Sequence, residues 1–583
     1  MSARISLLNF FPHPNLWQRL VLPLLDRIFG ISKMNALYQT HQMQGLSKED
    51  FADKLLSVQS ITIENEDTFL AQIPATGPVV IASNHPFGGI EGVILARVIG
   101  KKRPDIKVFA NKGLQVFKEL EDFFIFTNPL APNDPANAPS IRSAMRHVKQ
   151  GHPLLIFPAG RVSYFQSQYN DIVEHQWNKL VYRLTKDAHG AFVGVFVQGF
   201  NRPFFYTLGR IYYRLRMLLL ARELLANTHR TIRLDHTQLL NLPKDLPAQT
   251  GADFARSLSY AVDSRWQYSW PTSSPSANQV PLGEPINPST LLTELTALPP
   301  EQALITVGEY SVYWAMQQQA PQTIQEITRL RERVFRMHNE GSGKAFDTDR
   351  FDATYTHLFV VRTPADKAEP LHIIGAYRMG RTDVLLADNG IEGLYLHNMF
   401  TFAAGFVNQQ QPCLEMGRSF VIPEYQRSPQ GLFMLWRGIG EFIHAFPQYH
   451  VLYGTVSLST LYQPQSVSII AHGLINQPEH AKPTNPFALD LHPQLHAFAL
   501  SQSKTVQEGL ERYVNTYIQA LEKDGKTLPV LAKQYQKLGA NFHALGIDTS
   551  FNHTPGLLLS VDLQQVPARL QKRFLGRPLS PST

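Results

Sequence analysis

The chain has 583 residues, of which 44% are hydrophobic and 17% charged, with a formal net charge of +7 and a pI near 9.2. Its length exceeds what one hydrophobic core can fill and predicts two or three domains, while the composition excludes disorder over long spans. The positive charge favours an anionic partner, and we find no nucleic-acid-binding motif. A single cysteine, Cys413, excludes an internal disulfide framework and a multi-cysteine zinc site, which fits a reducing compartment such as the cytoplasm.

The N-terminal region contains an amphipathic pattern. No small-residue cleavage site follows an apolar core in residues 1–17, so we expect no signal peptide. Between residues 16 and 37, apolar residues recur at helical spacing with Arg19 and Arg27 among them. This helix could lie at a membrane interface or pack on the domain core. No apolar run reaches the roughly eighteen residues that a spanning helix needs, so we expect only peripheral membrane contact.

Residues 79–92 join a short apolar run to a histidine, two glycines and a glutamate. Residues 79–82 are typical of a buried strand, and Glu91 opens a helical run. His85 should therefore lie on the loop at the end of the strand, where a neutral imidazole can take a proton from a hydroxyl or amine. A carboxylate such as Glu91 can fix the tautomer of this imidazole and stabilise its protonated form. The alternative is a turn histidine beside a glutamate at a helix start.

Two motifs resemble the glycerolipid acyltransferase family, whose signatures are Asn-His followed by an acid and a Phe-Pro-Glu-Gly substrate-binding block. The first is the pair 84–85 with Glu91, and the second lies in residues 154–163. Two features depart from the family. Five residues rather than four separate His85 from the acid, which is Glu rather than Asp, and Ala159 stands where the block has its glutamate. The wider spacing resembles the ornithine-lipid branch of the family.

This resemblance implies a division of roles among the motif residues. His85 would be the general base and Glu91 the residue that orients it. Gly160 and Arg161 would help to hold an anion of the acceptor or donor. The implied substrate-binding residues of this half are Asn84, Phe157, Pro158, Gly160 and Arg161.

Residues 201–225 interleave arginines with aromatic and leucine residues. Long cationic side chains can reach lipid phosphates while the apolar face enters the acyl region, so this segment predicts contact with an anionic membrane. The alternative is a core helix with solvated arginines. The basic and aromatic residues include Arg202, Arg210, Arg214, Arg216, Arg222, Phe204, Tyr212 and Tyr213.

A Pro- and Ser-rich stretch at residues 269–290 predicts an interdomain linker between domains 1–268 and 291–583. In the second domain, residues 326–335 predict a helix, and an acidic loop follows at 347–352. Residues 413–421 predict a strand that places Glu415, Gly417 and Ser419 on one face, and Pro429 and Gly431 open the next helix.

The Glu-Met-Gly-Arg strand, in this order of elements, resembles the fold shared by the GNAT superfamily, acyl-homoserine-lactone synthases and the ornithine N-acyltransferases, which are also called hemolysin-like proteins. The resemblance implies that the strand and the following turn hold the pantetheine arm of an acyl donor, and that the next helix start, near Gly431, faces phosphate. Because residues 426–431 match the glycine-rich acyl-CoA loop only in part, acyl carrier protein is the favoured donor over acyl-CoA. Glu415 is the candidate proton acceptor for the attacking amine, and Arg418 would order the strand or meet the donor phosphate. Alternatively, these two residues form an ion pair that braces the strand.

Together the resemblances predict an α/β chain with an N-terminal glycerolipid-acyltransferase-like domain and a C-terminal GNAT-like domain, in the order of the bifunctional ornithine-lipid synthases. They imply N-acylation of ornithine with a 3-hydroxyacyl group, O-acylation of the resulting lyso-ornithine lipid, no metal or bound cofactor, and a peripheral location on the cytoplasmic face of the bacterial inner membrane. Three alternatives stay open: glycine, glutamine or lysine as acceptor, a phospholipid-making acyltransferase with an inert second domain, or a carrier-binding or lytic protein without catalysis.

Overall fold

The computed structural model describes residues 5–10, 13, 15–111, 117–128, 135–211, 219–226, 228–270, 279–366, 369–409, 411–487 and 490–579. The chain divides into two compact units. Unit 1 is Met1–Gln267 with Leu491–Lys504 and Gln519–Gly525, and unit 2 is Tyr268–Asp490, Thr505–Ile518 and Lys526–Thr583. Helices and strands alternate in both, so the predicted α/β class is confirmed. The predicted domain limits stay a prediction, and no sequence pattern indicated that two late segments join unit 1.

A mainly parallel sheet forms the centre of unit 1. The strands of this unit are β1 (Thr62–Glu64), β2 (Val79–Ser83), β3 (Lys107–Asn111), β4 (Phe124–Thr127), β5 (Pro153–Ile156), β6 (Tyr164–Gln166), β7 (Asp171–Val173), β8 (Ala191–Val197) and β9 (Thr231–His236). The sheet order is β1-β9-β8-β2-β5-β3-β4, in which β8 and β9 are antiparallel, and β6 and β7 form a separate ribbon. Because β2 and β5 pair in parallel, with Ala82 opposite Ile156, their carboxyl ends meet at one edge of the sheet.

Helices cover this sheet, and their apolar residues supply its core. Every residue of β2 is buried, which the β-branched run at 79–81 predicted, since a strand covered on both faces is apolar throughout. The helices are α1 (Leu16–Ile28), α2 (Ile31–Thr40), α3 (Lys48–Val58), α4 (Glu66–Gln72), α5 (Ile90–Gly100), α6 (Ala138–Lys149), α7 (Leu180–Asp187), α8 (Pro203–Ile211), α9 (Leu220–Ala226) and α10 (Ala248–Ala261).

The predicted continuous helix at residues 16–37 is wrong, because Gly30 adopts a left-handed conformation, φ +81°, and separates α1 from α2. The apolar stripe of α1 is exposed, with Leu16 at 77%, Trp17 at 75% and Leu20 at 70% exposure. By contrast, α2 packs on the core and buries Tyr38. Within the described residues no helix combines the length and hydropathy needed to cross a membrane.

The basic and aromatic segment at 201–225 is described only in part. Residues 212–218, which include Arg214, Arg216, Tyr212 and Tyr213, lie outside the described residues, as does the side chain of Arg210. In the described part, Phe204 is 58% exposed, and Arg202 forms a 2.8 Å ion pair with the buried Glu223.

An eight-stranded, mainly antiparallel sheet forms the centre of unit 2. The strands are β10 (Ala303–Val307), β11 (Tyr310–Ala315), β12 (Thr356–Arg362), β13 (His372–Arg381), β14 (Phe400–Phe402), β15 (Cys413–Val421), β16 (Val451–Ser457), β17 (Ala481–Pro483), β18 (Asn541–Asp548) and β19 (Thr554–Asp562). The order is β10-β11-β12-β13-β15-β16-β19-β18, with β14 and β17 paired separately. Strands β15 and β16 are parallel, and their pairing ends at Met416 opposite Gly454, although both strands continue. The two strands therefore diverge and leave a cleft.

Helices flank this sheet, and long amphipathic ones such as α12 and α15 bury their apolar faces on it. From residue 268 onward the helices are α11 (Pro288–Ala297), α12 (Pro321–Arg336), α13 (Thr382–Asn389), α14 (Pro423–Gln426), α15 (Pro429–Ala445), α16 (Pro464–Leu474), α17 (Pro493–Gln502), α18 (Val506–Glu511), α19 (Val514–Leu521), α20 (Val530–Lys537) and α21 (Ala568–Leu575). Of these, α17 belongs to unit 1.

The predicted alternation of side chains between the two faces of β15 is wrong beyond Gly417. Opposite β13, Gly417 pairs with Arg378 and Phe420 with Ala376, so β15 carries one extra residue. Arg418 in this bulge has φ +50°, an uncommon conformation for a residue with a side chain. Such bulges re-aim side chains, and residues 415–421 all line one cavity.

The assignment of α17 to unit 1 generates a stability prediction. Phe498 is 5% exposed and packs on Phe254 of α10, with ring centroids 5.4 Å apart. Phe498→Ala should cost about 3–5 kcal/mol, because it leaves a cavity in a buried aromatic contact. We expect faster amide hydrogen exchange across α10 in the full-length chain. Leu500→Ala, at a 46% exposed position on α17, is the control, and equal exchange in both variants would contradict this packing.

Candidate active sites

The first candidate site lies at the carboxyl edge of the parallel sheet in unit 1. His85 follows β2, and its Nδ1 is 2.9 Å from Oε1 of Glu91 in the first turn of α5. The Glu91 carboxylate is fully buried and also accepts the backbone N–H groups of Phe87, Gly88 and Gly89, each at 2.9 Å. Because an ionised carboxylate only accepts hydrogen bonds, Nδ1 carries the proton and Nε2 is left to accept another.

Charge and burial act in opposite directions on this pair. Burial lowers the pKa of His85, but the charge and hydrogen bond of Glu91, together with the charge of Glu174, raise it above its ordinary value. Burial raises the pKa of Glu91, but His85 and the backbone N–H groups lower it below its ordinary value. The arrangement thus holds a carboxylate that favours the protonated imidazole, as a general base requires.

Asn84 lies beside His85 but does not line the cavity. Its Nδ2 donates to Val197 O at 3.0 Å, and its Oδ1 accepts from Val197 N at 2.7 Å, so the amide joins the ends of β2 and β8. Asn84 therefore positions the His85 loop, while its predicted contact with substrate stays a prediction.

The second motif reaches the same site from β5. The rings of Phe157 and His85 are 4.7 Å apart between centroids, and Ser163 N donates to His85 O at 2.9 Å. Gly160 turns the chain with φ +64°. His85, Phe157, Pro158, Gly160 and Arg161 line one largely apolar cavity of about 940 Å³, which is large enough for an acyl chain.

Three residues near this cavity were not predicted from the sequence. Lys179 and Arg183 lie four residues apart at the start of α7 and line the cavity together with Arg161. Glu174 is buried, accepts a 2.8 Å hydrogen bond from Trp177 Nε1 and has a pKa raised to about 7 by burial. The i, i+4 spacing of the two cations was a readable signal, whereas the position of Glu174 depends on the fold.

The second candidate site lies in unit 2, where β15 and β16 diverge beside a cavity of about 540 Å³. Glu415 lines it, and its carboxylate accepts from Tyr355 OH at 2.9 Å, Tyr453 OH at 3.1 Å and Leu396 N at 3.1 Å. Burial raises the pKa of Glu415 to about 7, so near neutral pH the carboxyl can both hold and release a proton.

Arg418 lies in the same cavity wall and does not pair with Glu415. Its Nη2 donates to Tyr395 OH at 2.9 Å, its Nε is 3.6 Å from Asp347, and its guanidinium lies 4.1 Å from the centre of the Phe551 ring. The alternative of a Glu415–Arg418 ion pair is therefore wrong. Gly431 lies in the first turn of α15, where a Cβ would meet Val421 Cγ1 at 2.8 Å, and its predicted donor contact stays a prediction.

The acidic loop at 347–352 forms a buried charge network instead of a solvated turn. Arg331 Nε lies 2.6 Å from Asp347, and Arg378 Nη1 lies 2.6 Å from Asp349 and 3.0 Å from Asp352. Arg378 also lines the cavity, and Asp347 lies 3.6 Å from Arg418 Nε, so this network holds the part of the wall that carries Arg418.

Comparison with known proteins agrees with this division of the chain. Residues 20–258 match the family model described as Acyltransferase, and residues 330–437 match the one described as Acetyltransferase (GNAT) domain. The chain therefore has an N-terminal acyltransferase domain and a C-terminal GNAT-like domain, and it is an acyl-transfer enzyme. The alternative of a protein without catalysis is wrong.

Several curated proteins are similar to parts of the chain. A glycine N(alpha)-acyltransferase of Bacteroides thetaiotaomicron is 28% identical over 48% of this chain and 85% of its own length. A lyso-glycine lipid O-acyltransferase of Phocaeicola vulgatus is 28% identical over 31% of this chain and 63% of its own length. An L-ornithine N(alpha)-acyltransferase of Rhodobacter capsulatus is 26% identical over 44% of this chain and 92% of its own length. The crystal structure of the acyl-homoserine-lactone synthase LasI aligns at 11% identity with a TM-score of 0.25 over 48% of this chain and all of LasI, too low a score to support a conclusion.

The charges around His85 predict the pH dependence of hydroxyl acylation. A base with a raised pKa is protonated, and inactive, below that pKa, so the rate should fall as the pH drops through it. Glu91→Gln removes the charge that raises the pKa of His85 most, and Glu174→Gln removes a smaller contribution, since Glu174 is ionised only above its own pKa of about 7. Both variants should move the fall in rate at acidic pH to lower pH, Glu91→Gln more than Glu174→Gln. Glu91→Gln should also slow the reaction about tenfold or more, because it loosens the orientation of His85.

The measurement is the pH profile of kcat/KM with a lyso-aminolipid acceptor and an acyl thioester. Glu64→Gln, on a side chain that is 53% exposed in the same unit, is the control. An acidic limb unchanged in both variants would show that His85 is not the titrating base.

Proposed function

We propose that the chain is a bifunctional aminolipid synthase. Unit 2 transfers a 3-hydroxyacyl group to the α-amine of an amino acid, and unit 1 then acylates the new 3-hydroxyl. The observation that supports this most is that one chain resembles both N-acyltransferases of amino acids and an O-acyltransferase of lyso-aminolipids. Ornithine is the acceptor we propose, and glycine is the alternative that the names of two of these relatives favour.

In unit 2, the α-ammonium of the acceptor loses a proton to Glu415, directly or through water, and the amine attacks the thioester carbonyl. As the tetrahedral intermediate collapses, the attacking nitrogen gives up its second proton, the C–S bond breaks, and the leaving thiolate takes up that proton. The acyl donor is acyl carrier protein or acyl-CoA, whose pantetheine arm would enter the cleft between β15 and β16, where backbone groups no longer pair with each other. The contacts of Arg418 with Tyr395 and Asp347 favour its role in ordering the bulge.

In unit 1, Nε2 of His85 takes the proton of the 3-hydroxyl as the oxygen attacks a second thioester. The negative charge of Glu91 stabilises the imidazolium, which then returns the proton to the leaving thiolate. Arg161, Lys179 and Arg183 would hold the carboxylate of the lyso-lipid or a phosphate of the donor. The apolar walls of the 940 Å³ cavity would receive an acyl chain.

We also propose that the enzyme works at the cytoplasmic face of the bacterial inner membrane as a peripheral protein. The exposed stripe of α1 continues from Leu20 through Leu24, 57% exposed, to Ile28, 51% exposed. On the opposite face of α1, Asp26 accepts hydrogen bonds from Ser6 Oγ and Leu7 N, and both of these residues line the cavity of His85. Insertion of this stripe into lipid would thus bring a membrane-borne lyso-lipid close to its site.

Expression in a bacterial host that makes no aminolipids tests the proposed function. Mass spectrometry of the extracted lipids should show a diacylated aminolipid and its mono-acylated precursor, and fragmentation identifies the amino acid. New phosphatidic acid species without any N-acylated amino acid would instead favour the phospholipid-making alternative and contradict the proposal.

Binding to vesicles tests the location. The purified protein should sediment with anionic vesicles, bind neutral vesicles less, and be released only partly by high salt, because salt screens charge attraction but not apolar burial. Leu20→Glu with Leu24→Glu should abolish the salt-resistant fraction. Leu292→Glu with Val307→Glu, at exposed positions of unit 2, is the matched control. Equal loss in both double variants would refute the role of α1.

A further inference from the structure

The cavity of unit 2 is lined by three acidic side chains that differ in how much of their hydrogen-bonding capacity is used. Glu415 accepts three hydrogen bonds, and so does Asp548, from Tyr395 OH, Ser550 N and Ser550 Oγ. Glu340 accepts one, from Ser457 Oγ at 3.2 Å, in the part of the chain that the structure describes. An ionised carboxylate can accept about four hydrogen bonds, so Glu340 is the acid with most capacity left for a ligand.

The loop that carries Glu340 is fixed on both sides of this residue. On one side, Asn339 O accepts from Asn552 Nδ2, and Asn339 Nδ2 donates to Thr460 Oγ1, both at 2.7 Å. On the other side, the buried carboxylate of Glu332 accepts from Ser342 N and Gly343 N at 2.9 Å. The side chain of Glu340, 7% exposed, is thus held in place as part of a built cavity wall.

The charge of Glu340 is only partly compensated. Arg418 attracts it, but that guanidinium contacts Tyr395 and Asp347, and no ion pair of Glu340 occurs within 4 Å among the described residues. Burial raises the pKa of Glu340 to about 7, which expresses the cost of keeping it ionised without a close partner. A ligand ammonium would supply both the missing charge and the missing N–H donors.

Glu340 and Glu415 each accept a hydrogen bond from a side chain on the same face of β16. Tyr453 donates to Glu415 and Ser457 donates to Glu340, and side chains four residues apart on a strand point to one side. The two strand positions are separated by roughly 13 Å, at about 3.3 Å per residue. Both carboxylates therefore lie on one side of β16, and a short extended molecule with an amino group at each end could be held between them.

We propose that Glu340 binds the side-chain ammonium of a dibasic amino-acid acceptor and thereby selects such acceptors over glycine. This inference rests on the proposed N-acylation of an amino acid by unit 2. With the α-amine at Glu415, where its proton is removed, the distal ammonium of ornithine or lysine pairs with Glu340. An acceptor without that ammonium leaves the buried carboxylate unpaired, which lowers its affinity.

The test compares ornithine with norvaline, which has the same carbon chain but no distal amine, as acceptors for the full-length enzyme with a 3-hydroxyacyl thioester donor. Glu340→Gln should raise the KM for ornithine about tenfold or more and change its kcat less than about threefold. The same variant should acylate norvaline with kcat/KM within about threefold of the wild type, which also shows that it is folded. Glu301→Gln, at an exposed position of unit 2, should change neither acceptor.

Four results would overturn the inference. Equal loss for ornithine and norvaline in Glu340→Gln would assign Glu340 to proton transfer or to structure. Equal use of the two acceptors by the wild type, or a preference for glycine, would show that the cavity does not recognise a distal ammonium. Failure of the wild type to N-acylate any amino acid would refute the proposed function itself, and with it the inference.

Discussion

The chemistry assigned to unit 1 depends on one carboxylate, that of Glu91. It accepts three backbone N–H groups of the loop that carries His85 and also faces Nδ1 of that histidine at 2.9 Å. A single buried charge therefore fixes the path of the loop, the tautomer of the imidazole and the stability of its protonated form. The parallel pairing of β2 with β5 then brings the Phe157 motif to the same edge, so that both motifs line one apolar cavity.

In unit 2, a different set of buried charges holds the candidate site in place. The acidic loop forms buried ion pairs with Arg331 and Arg378 and also contacts Arg418 through Asp347, and residues 415–421 of β15 line the cavity. Removing one partner of such a network leaves an uncompensated buried charge, so substitutions of these charged residues should destabilise the site. Two of the three carboxyls that line the cavity, Glu340 and Glu415, accept hydrogen bonds only from neutral donors, and burial raises the pKa of each to about 7.

Much of this could be predicted from the sequence, and the failures have physical reasons. Local sequence patterns predicted the strand and helix around His85, the acidic partner of this histidine and the limits of β15. The break at Gly30 was missed because helical periodicity continues on both sides of it, and the bulge at Arg418 because it depends on pairing with β13. Glu174 and Glu340 carry no motif, since their importance comes from burial among residues that are distant in sequence. The assignment of α17 to unit 1 likewise depends on tertiary contacts such as that of Phe498 with Phe254.

The central claim is that one chain performs two successive acyl transfers at separate sites. It is tested most directly by expressing the full-length His85→Ala variant in a host without aminolipids and measuring mono-acylated and diacylated aminolipid by mass spectrometry. Loss of a general base typically costs about a hundredfold to ten-thousandfold in rate, so the account predicts that the mono-acylated lipid accumulates and the diacylated lipid disappears. Diacylated lipid at the wild-type level, or loss of both lipids from a folded variant, would contradict it.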